Sequence, residues 1–218
     1  MPLRSSRIAR LVPAALAAGA LAVLTSSCVS ESVGTDPAGR AVSVSKYKGT
    51  ELAIPVSIPA VTLTDTAGQP YDLKARNAGK ITLVYFGYTN CPDVCPTTMA
   101  DLASALRLLP AAESAKVSVV FVTTDPDHDT AAVLKTWLGR FSPDFTGLTG
   151  TVSDVDNAGK LAGVPIDPPT KGADGTVTVD HGSQVTAFGA NGQAHVAWLD
   201  GASPQDIAHD IPLLESPS

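Results

Sequence analysis

The chain has 218 residues, 44% hydrophobic and 17% charged, the composition of one globular domain with a short appendage. About 160 patterned residues would bury roughly 70% of the surface of the unfolded chain, enough for a core without metals or disulfides as staples. The formal charge is −6; without Arg4, Arg7 and Arg10, 12 basic residues face 21 acidic ones, and with no Lys/Arg cluster nucleic acid is not an expected partner.

The three arginines precede an apolar run, Leu11 to Leu24, which ends in Thr25, Ser26, Ser27 and Cys28, the layout of a secretory signal. At 14 residues, with Pro13 and Gly19 inside, the run is shorter than the ~20 residues a membrane-spanning helix needs. The segment resembles a bacterial lipoprotein signal, after which Cys28 would carry lipid and become the first residue; several acyl chains make a stable anchor. Simple signal cleavage and an uncleaved anchor are the other readings. Residues 1–27 are read as a lipoprotein-type signal peptide. Residues 28–50, rich in Ser, Gly and Thr, are read as a flexible membrane tether on the extracytoplasmic face of the cell membrane. Residues 51–218 are read as the folded domain.

That domain opens on two strand-like runs, Val61–Leu63 and Tyr71–Leu73, around the turn sequence Asp65–Gly68, which predicts a β-hairpin. Ile81–Phe86 is a continuous β-branched and aromatic run, as in a strand buried on both faces. Gly87–Pro96 reads as a loop, and Met99, Leu102, Ala103, Leu106 and Leu109 then recur at helical spacing until Pro110. Val117–Val122 repeats the buried-strand composition, and a second helix begins at Asp129-Thr130, where Asp or Thr can cap free amides. The βαβα order implies parallel strands. A short helix is expected over Ser153–Leu161, and the Pro- and Gly-rich stretch Gly163–Gly175 reads as an exposed loop too polar for the core. Val177–Asp180, Val185–Phe188 and Ala194–Leu199 read as strands, with an Asn191-Gly192 turn before the last, and Ser203-Pro204 starts a final helix to about Leu214. A βαβ half followed by a ββα half, with a cysteine pair after the first central strand, is a thioredoxin-like α/β fold. It has a central mixed sheet flanked by helices, and the hairpin is an N-terminal extension.

With Cys28 assigned to lipid, Cys91 and Cys95 carry the chemistry. At a strand-to-helix junction their sulfurs face unpaired backbone N–H groups and the positive end of the helix dipole, which favours thiolate over thiol. A structural disulfide is the bland alternative in an oxidising compartment, but closing so short a loop would remove little unfolded-chain entropy.

The string Phe86-Gly-Tyr-Thr-Asn-Cys91-Pro-Asp-Val-Cys95-Pro-Thr-Thr resembles the copper-site motif of the Sco/SenC family of copper-binding cytochrome c oxidase assembly factors. Thr124–Thr130, Phe141–Gly150 and Val179–His181 extend the resemblance over Glu51 to Leu214. Thioredoxin-type oxidoreductases carry two residues between their cysteines; here there are three, Pro92, Asp93 and Val94. The resemblance implies a metal site of Cys91, Cys95 and His181, with Asp125 as an acid near the metal or, in its bland role, a turn or helix cap. Spacing alone does not choose among His128, His181, His195 and His209. Two thiolates and an imidazole make a soft, low-coordinate set that suits Cu(I) and, with an added oxygen ligand, Cu(II), whereas zinc would want a fourth ligand.

The implied function is a copper metallochaperone that delivers its ion to cytochrome c oxidase, at the dinuclear copper centre of subunit II. It would need a copper donor, and a thiol reductant to keep the pair open, because a closed disulfide binds no metal. The alternative is a thiol–disulfide oxidoreductase or redox sensor acting on a partner's copper-site cysteines, with Cys91 and Cys95 as its redox-active pair; no other catalytic residue is expected. The loop Gly163–Gly175 leads into His181 and is expected to move when metal binds, which hydrogen exchange with and without copper checks.

Overall fold

The computed structural model describes residues 33–35, 41–43, 45–167, 170–173 and 177–215. The signal-like segment and Cys28 lie outside the described residues, and none of the described helices is long and apolar enough to cross a membrane. The chain divides into two compact units, Met1–Val44 and Ser45–Ser218. In the first, strand β1 (Val33–Thr35) pairs antiparallel with β2 (Ala41–Ser43). Parts of the segment read as a tether therefore carry strand structure, favoured by their β-branched Val and Thr residues.

The second unit begins with β3 (Thr50–Ser57), β4 (Thr62–Asp65), β5 (Pro70–Asp72), helix α1 (Leu73–Arg76) and β6 (Ile81–Gly87). It continues with α2 (Val94–Leu108), α3 (Ala111–Ser114), β7 (Val117–Thr123), α4 (Ala131–Leu138), β8 (Thr146–Thr149) and α5 (Val152–Ala162). The last part holds β9 (Thr170–Lys171), β10 (Val177–Thr178), β11 (Val185–Phe188), β12 (Gln193–Trp198), α6 (Pro204–Asp210) and a 3₁₀ turn, Ile211–Leu214. Eight strands form one sheet in the order β3-β12-β11-β6-β7-β8-β4-β5. β6, β7 and β8 run parallel, and β11 lies antiparallel on the other side of β6, followed by β12 and β3. The four strands β7-β6-β11-β12, with α2 and α6, are the thioredoxin-like core.

All seven residues of β6 are buried because helices cover both faces of the sheet. Strand alternation then sorts them: Ile81, Leu83 and Tyr85 join Met99, Leu102 and Phe121 on one face, while Val84 and Phe86 join Val120, Val155 and Ala158 on the other. The helices start where their caps specify. Thr130 accepts from Val133 N–H, Thr151 and Asp154 form a reciprocal capping box, and Ser203 caps a helix with Pro204 at its first position.

Two expectations need correction. The stretch Gly163–Gly175 is not wholly outside the core: Val164 is 1% exposed and Ile166 packs against the same cluster. The strand read over Val177–Asp180 covers only Val177-Thr178, which pairs with Thr170-Lys171 in a separate two-stranded sheet. The Pro and Gly residues around these positions hide the two apolar side chains from a composition-based reading.

Gly159 of α5 makes that packing possible, since a Cβ there would lie 2.5 Å from Ile166 Cδ1 and 2.9 Å from the Val164 carbonyl oxygen. Alanine ordinarily favours a helix interior over glycine by about 1 kcal/mol. Here Gly159→Ala is expected to lower the urea midpoint and to speed amide exchange across residues 164–167, because the arm must move away from the helix.

Candidate metal centre

The cysteines sit where β6 hands the chain to α2. After Gly87 the backbone turns through Tyr88 and Thr89, and Cys91 N–H donates to the Tyr88 carbonyl at 3.2 Å. Asp93 is the N-cap of α2 but makes no side-chain cap bond; the Cys95 N–H instead donates to Cys91 Sγ at 3.4 Å. One sulfur thus faces a free amide at the helix start, as the sequence implies. Gly87 lets the strand approach the other sulfur: a Cβ there would lie 3.0 Å from Cys95 Sγ and 2.9 Å from the Tyr85 ring. Both cysteines are free thiols.

Cys91 is half-buried, whereas Cys95 is fully buried and receives the Tyr85 hydroxyl at 3.5 Å. The expectation that the helix dipole favours thiolate fails at Cys95. Burial pushes that thiol up to about 12, more than the Tyr85 hydrogen bond pulls it down.

His181 is half-buried and stands edge-on to Tyr85 of β6 and Tyr88 of the loop that follows it, with ring centroids 6.3 Å from Tyr85 and 6.1 Å from Tyr88. Its Nδ1 lies 3.0 Å from the Gly182 carbonyl, which can only accept, so Nδ1 carries the proton and the Nε2 lone pair is left for a metal. Tyr85 therefore touches both a thiol and the imidazole. Among the described residues, however, no three His, Cys, Asp or Glu side chains stand close enough together to hold a metal ion. The cysteine pair is assembled; His181 lies beside it without completing the set. It is held by an isolated backbone bridge to Ile166 and by the bond from Gly182 N–H to the Pro165 carbonyl at 2.9 Å.

Asp125 is buried and is not joined to this pair. Its Oδ1 lies 2.8 Å from His128 Nδ1, while its Oδ2 has no hydrogen-bond partner. The Asp125 carboxylate, by hydrogen bond and charge, raises the His128 imidazole above its ordinary value. His195 lies on β12, and His209 on α6 meets Asp210 Oδ1 at 2.9 Å. Sequence reasoning missed the two tyrosines and the buried Asp129, although Tyr88 and Asp129 lie inside the motif strings and Tyr85 immediately precedes the first of them. An aromatic beside a buried strand reads as core, and an Asp before a helix reads as a cap.

Residues 57–214 match the family model for SCO1/SenC. The mitochondrial protein SCO1 of Saccharomyces cerevisiae is 43% identical over 82 residues, 38% of this chain and 28% of that protein. The mitochondrial SCO2 homologue of Mus musculus is 34% identical over 132 residues, 60% of this chain and 51% of that protein. The chain thus spans about half or less of the length of these curated relatives. Among solved structures, Bradyrhizobium japonicum ScoI with copper bound aligns with a TM-score of 0.65 at 29% identity, over 73% of this chain and 99% of that one. With the family match running over more than two thirds of its residues, the chain belongs to the SCO1/SenC family.

Proposed function

We propose that the protein carries one copper ion on Cys91 Sγ, Cys95 Sγ and His181 Nε2 and hands it to cytochrome c oxidase, at the copper centre of subunit II, while lipid on Cys28 holds it at the outer membrane face. The observation that carries this reading is the shared tyrosine: the Tyr85 hydroxyl touches Cys95 Sγ and its ring meets the imidazole whose Nε2 is free. Two soft sulfurs and one imidazole fit copper, and the solved relative from Bradyrhizobium holds that metal. A short swing of the arm that carries His181 brings the third ligand to the pair, and an anchored donor meets a membrane-embedded acceptor by diffusion in two dimensions.

Anaerobic titration of the reduced protein is expected to reach one copper per chain. In cells, His181→Ala is expected to lose oxidase assembly along with tight copper binding. Full assembly by a His181→Ala protein that no longer holds copper would overturn the carrier reading in favour of thiol exchange, which needs no imidazole ligand.

A further inference from the structure

Asp129 is 1% exposed and is no part of the ligand set. Two hydroxyls and an amide satisfy it instead of a cation. Its Oδ2 accepts the Thr89 N–H at 2.9 Å and the Thr123 hydroxyl at 2.6 Å, and its Oδ1 accepts the Thr89 hydroxyl. Thr123 ends β7, Asp129 immediately precedes the Thr130 cap of α4, and Thr89 stands two residues ahead of Cys91. One carboxylate therefore ties a strand end and a helix start to the thiol loop. The surrounding turn is itself fixed: the Thr123 hydroxyl accepts the Asp125 N–H at 3.0 Å, Asp129 N–H donates to the Asp125 carbonyl at 2.9 Å, and Thr124 N–H reaches the Gly87 carbonyl at 2.7 Å.

An acid just ahead of a helix has an ordinary explanation, a favourable charge at the positive helix end. That explanation leaves the contacts to Thr89 unused, and Thr130 already caps the helix at Val133 N–H. Burying a carboxylate is costly unless its lone pairs are met, and here two of the three bonds that meet them come from a single residue of the thiol loop. Two bonds to Thr89 fix its backbone and its rotamer together, and through them the path of the chain into Cys91.

We infer that Asp129 is a positioning residue for the dithiol: it sets where Cys91 stands relative to Cys95, and thereby how tightly the pair holds a soft metal ion. The inference rests on the reading of these cysteines as metal ligands. Its test uses the reduced full chain as wild type, Asp129→Ala, Asp129→Asn and Thr89→Val, each titrated anaerobically with Cu(I) against a chromophoric chelator. In parallel, the Cys91–Cys95 disulfide is equilibrated with dithiothreitol, which gives up two electrons and two protons as it closes its own ring while the protein disulfide opens to two thiols.

Asp129→Ala is expected to weaken Cu(I) binding by about tenfold or more and to move the exchange constant by a similar factor. Thr89→Val, which keeps the amide but loses the hydroxyl, is expected to show a smaller change of both, and Asp129→Asn to recover part of the loss through its remaining oxygen. A folded Asp129→Ala protein with a lowered urea midpoint but wild-type copper affinity and exchange constant would leave Asp129 a stabilising residue only and overturn the inference. If that variant does not fold, Thr89→Val decides by the same two constants. A wild-type protein that binds no copper sinks the metal reading separately, and the exchange constant still reports on the position of the pair.

Discussion

Serine in place of Cys95 is expected to lower the affinity of the reduced protein for Cu(I) by more than about a hundredfold, because removing a group that merely orients a ligand already costs about 10–100-fold. A hydroxyl is a hard, protonated oxygen where the site offers a soft sulfur. The fold should survive, since serine is the smaller side chain and can still accept the Tyr85 hydroxyl that now reaches Sγ at 3.5 Å. Cys91→Ser should lose a similar factor with less disturbance of the core, its side chain being half-buried. The wild-type affinity also carries a pH signature. Burial holds the Cys95 thiol at about 12, so the metal-free protein enters the titration with that sulfur protonated, and copper must displace the proton. Affinity should therefore rise by about tenfold per pH unit from this proton alone, through neutral pH, and Cys95→Ser should lack that increment. A competition titration at three pH values checks this, and a wild-type slope no steeper than that of Cys95→Ser would show that Cys95 does not bind as thiolate.

The strands that were legible are those whose burial is written in their own residues. β6 has seven buried positions in a row and announces itself by composition. β3 does not, because it lies at the sheet edge, only two of its eight residues are even half-buried, and Pro55 interrupts it. β8 is hidden for the opposite reason. Its Gly147 reads as a breaker, yet the position has to be small: a Cβ would lie 2.8 Å from Leu138 Cδ1 and 2.9 Å from Thr66 Cγ2. Packing from α4, the element just before it, and from the Asp65–Gly68 turn region, remote in sequence, decides that strand.

The site divides along the same line. The cysteine pair follows from local order, strand then loop then helix, and the free amide that meets Cys91 Sγ follows with it. Whether a sulfur at that junction is thiolate depends on what covers it, and Tyr85, Met99 and Phe121 cover Cys95 from positions that the helix dipole does not weigh. His181 is chosen by motif, but its nearness to the pair is set by the bridge to Ile166 across a Pro- and Gly-rich arm, a contact between loops without periodicity. Asp129 shows the limit most plainly: from the sequence an Asp-Thr pair before a helix is a cap, and only the fold shows that one of the two turns inward to Thr89.

Asp210→Ala is expected to remove about 3–5 kcal/mol of folding stability, a large share of what a domain of this size possesses. Asp210 is fully buried on α6, and it accepts Lys48 N–H and Gly49 N–H at 2.8 Å, the Trp198 indole N–H at 3.0 Å and His209 Nδ1 at 2.9 Å. It thereby fastens the segment before β3 against β12, where the backbone runs so close that a Cβ on Gly49 would lie 2.5 Å from the Trp198 ring. Alanine would orphan two amides and an indole N–H, each costing about 1–3 kcal/mol where water cannot replace the acceptor. Burial alone would raise the Asp210 carboxyl, but the four donors together outweigh it and hold the group below the usual carboxylate range. With the folded value below the unfolded one of about 3.9, the stability that ionisation contributes is complete above that pH and disappears as pH falls through the folded value. The gap in urea midpoint between wild type and Asp210→Asn should thus be constant above about pH 5 and narrow below about pH 4, since the asparagine protein has no proton to take up at this position. A gap that stays the same down to the acid limb would mean that the four donors hold a carboxyl that is not ionised, and the fastening would then rest on shape and neutral hydrogen bonds.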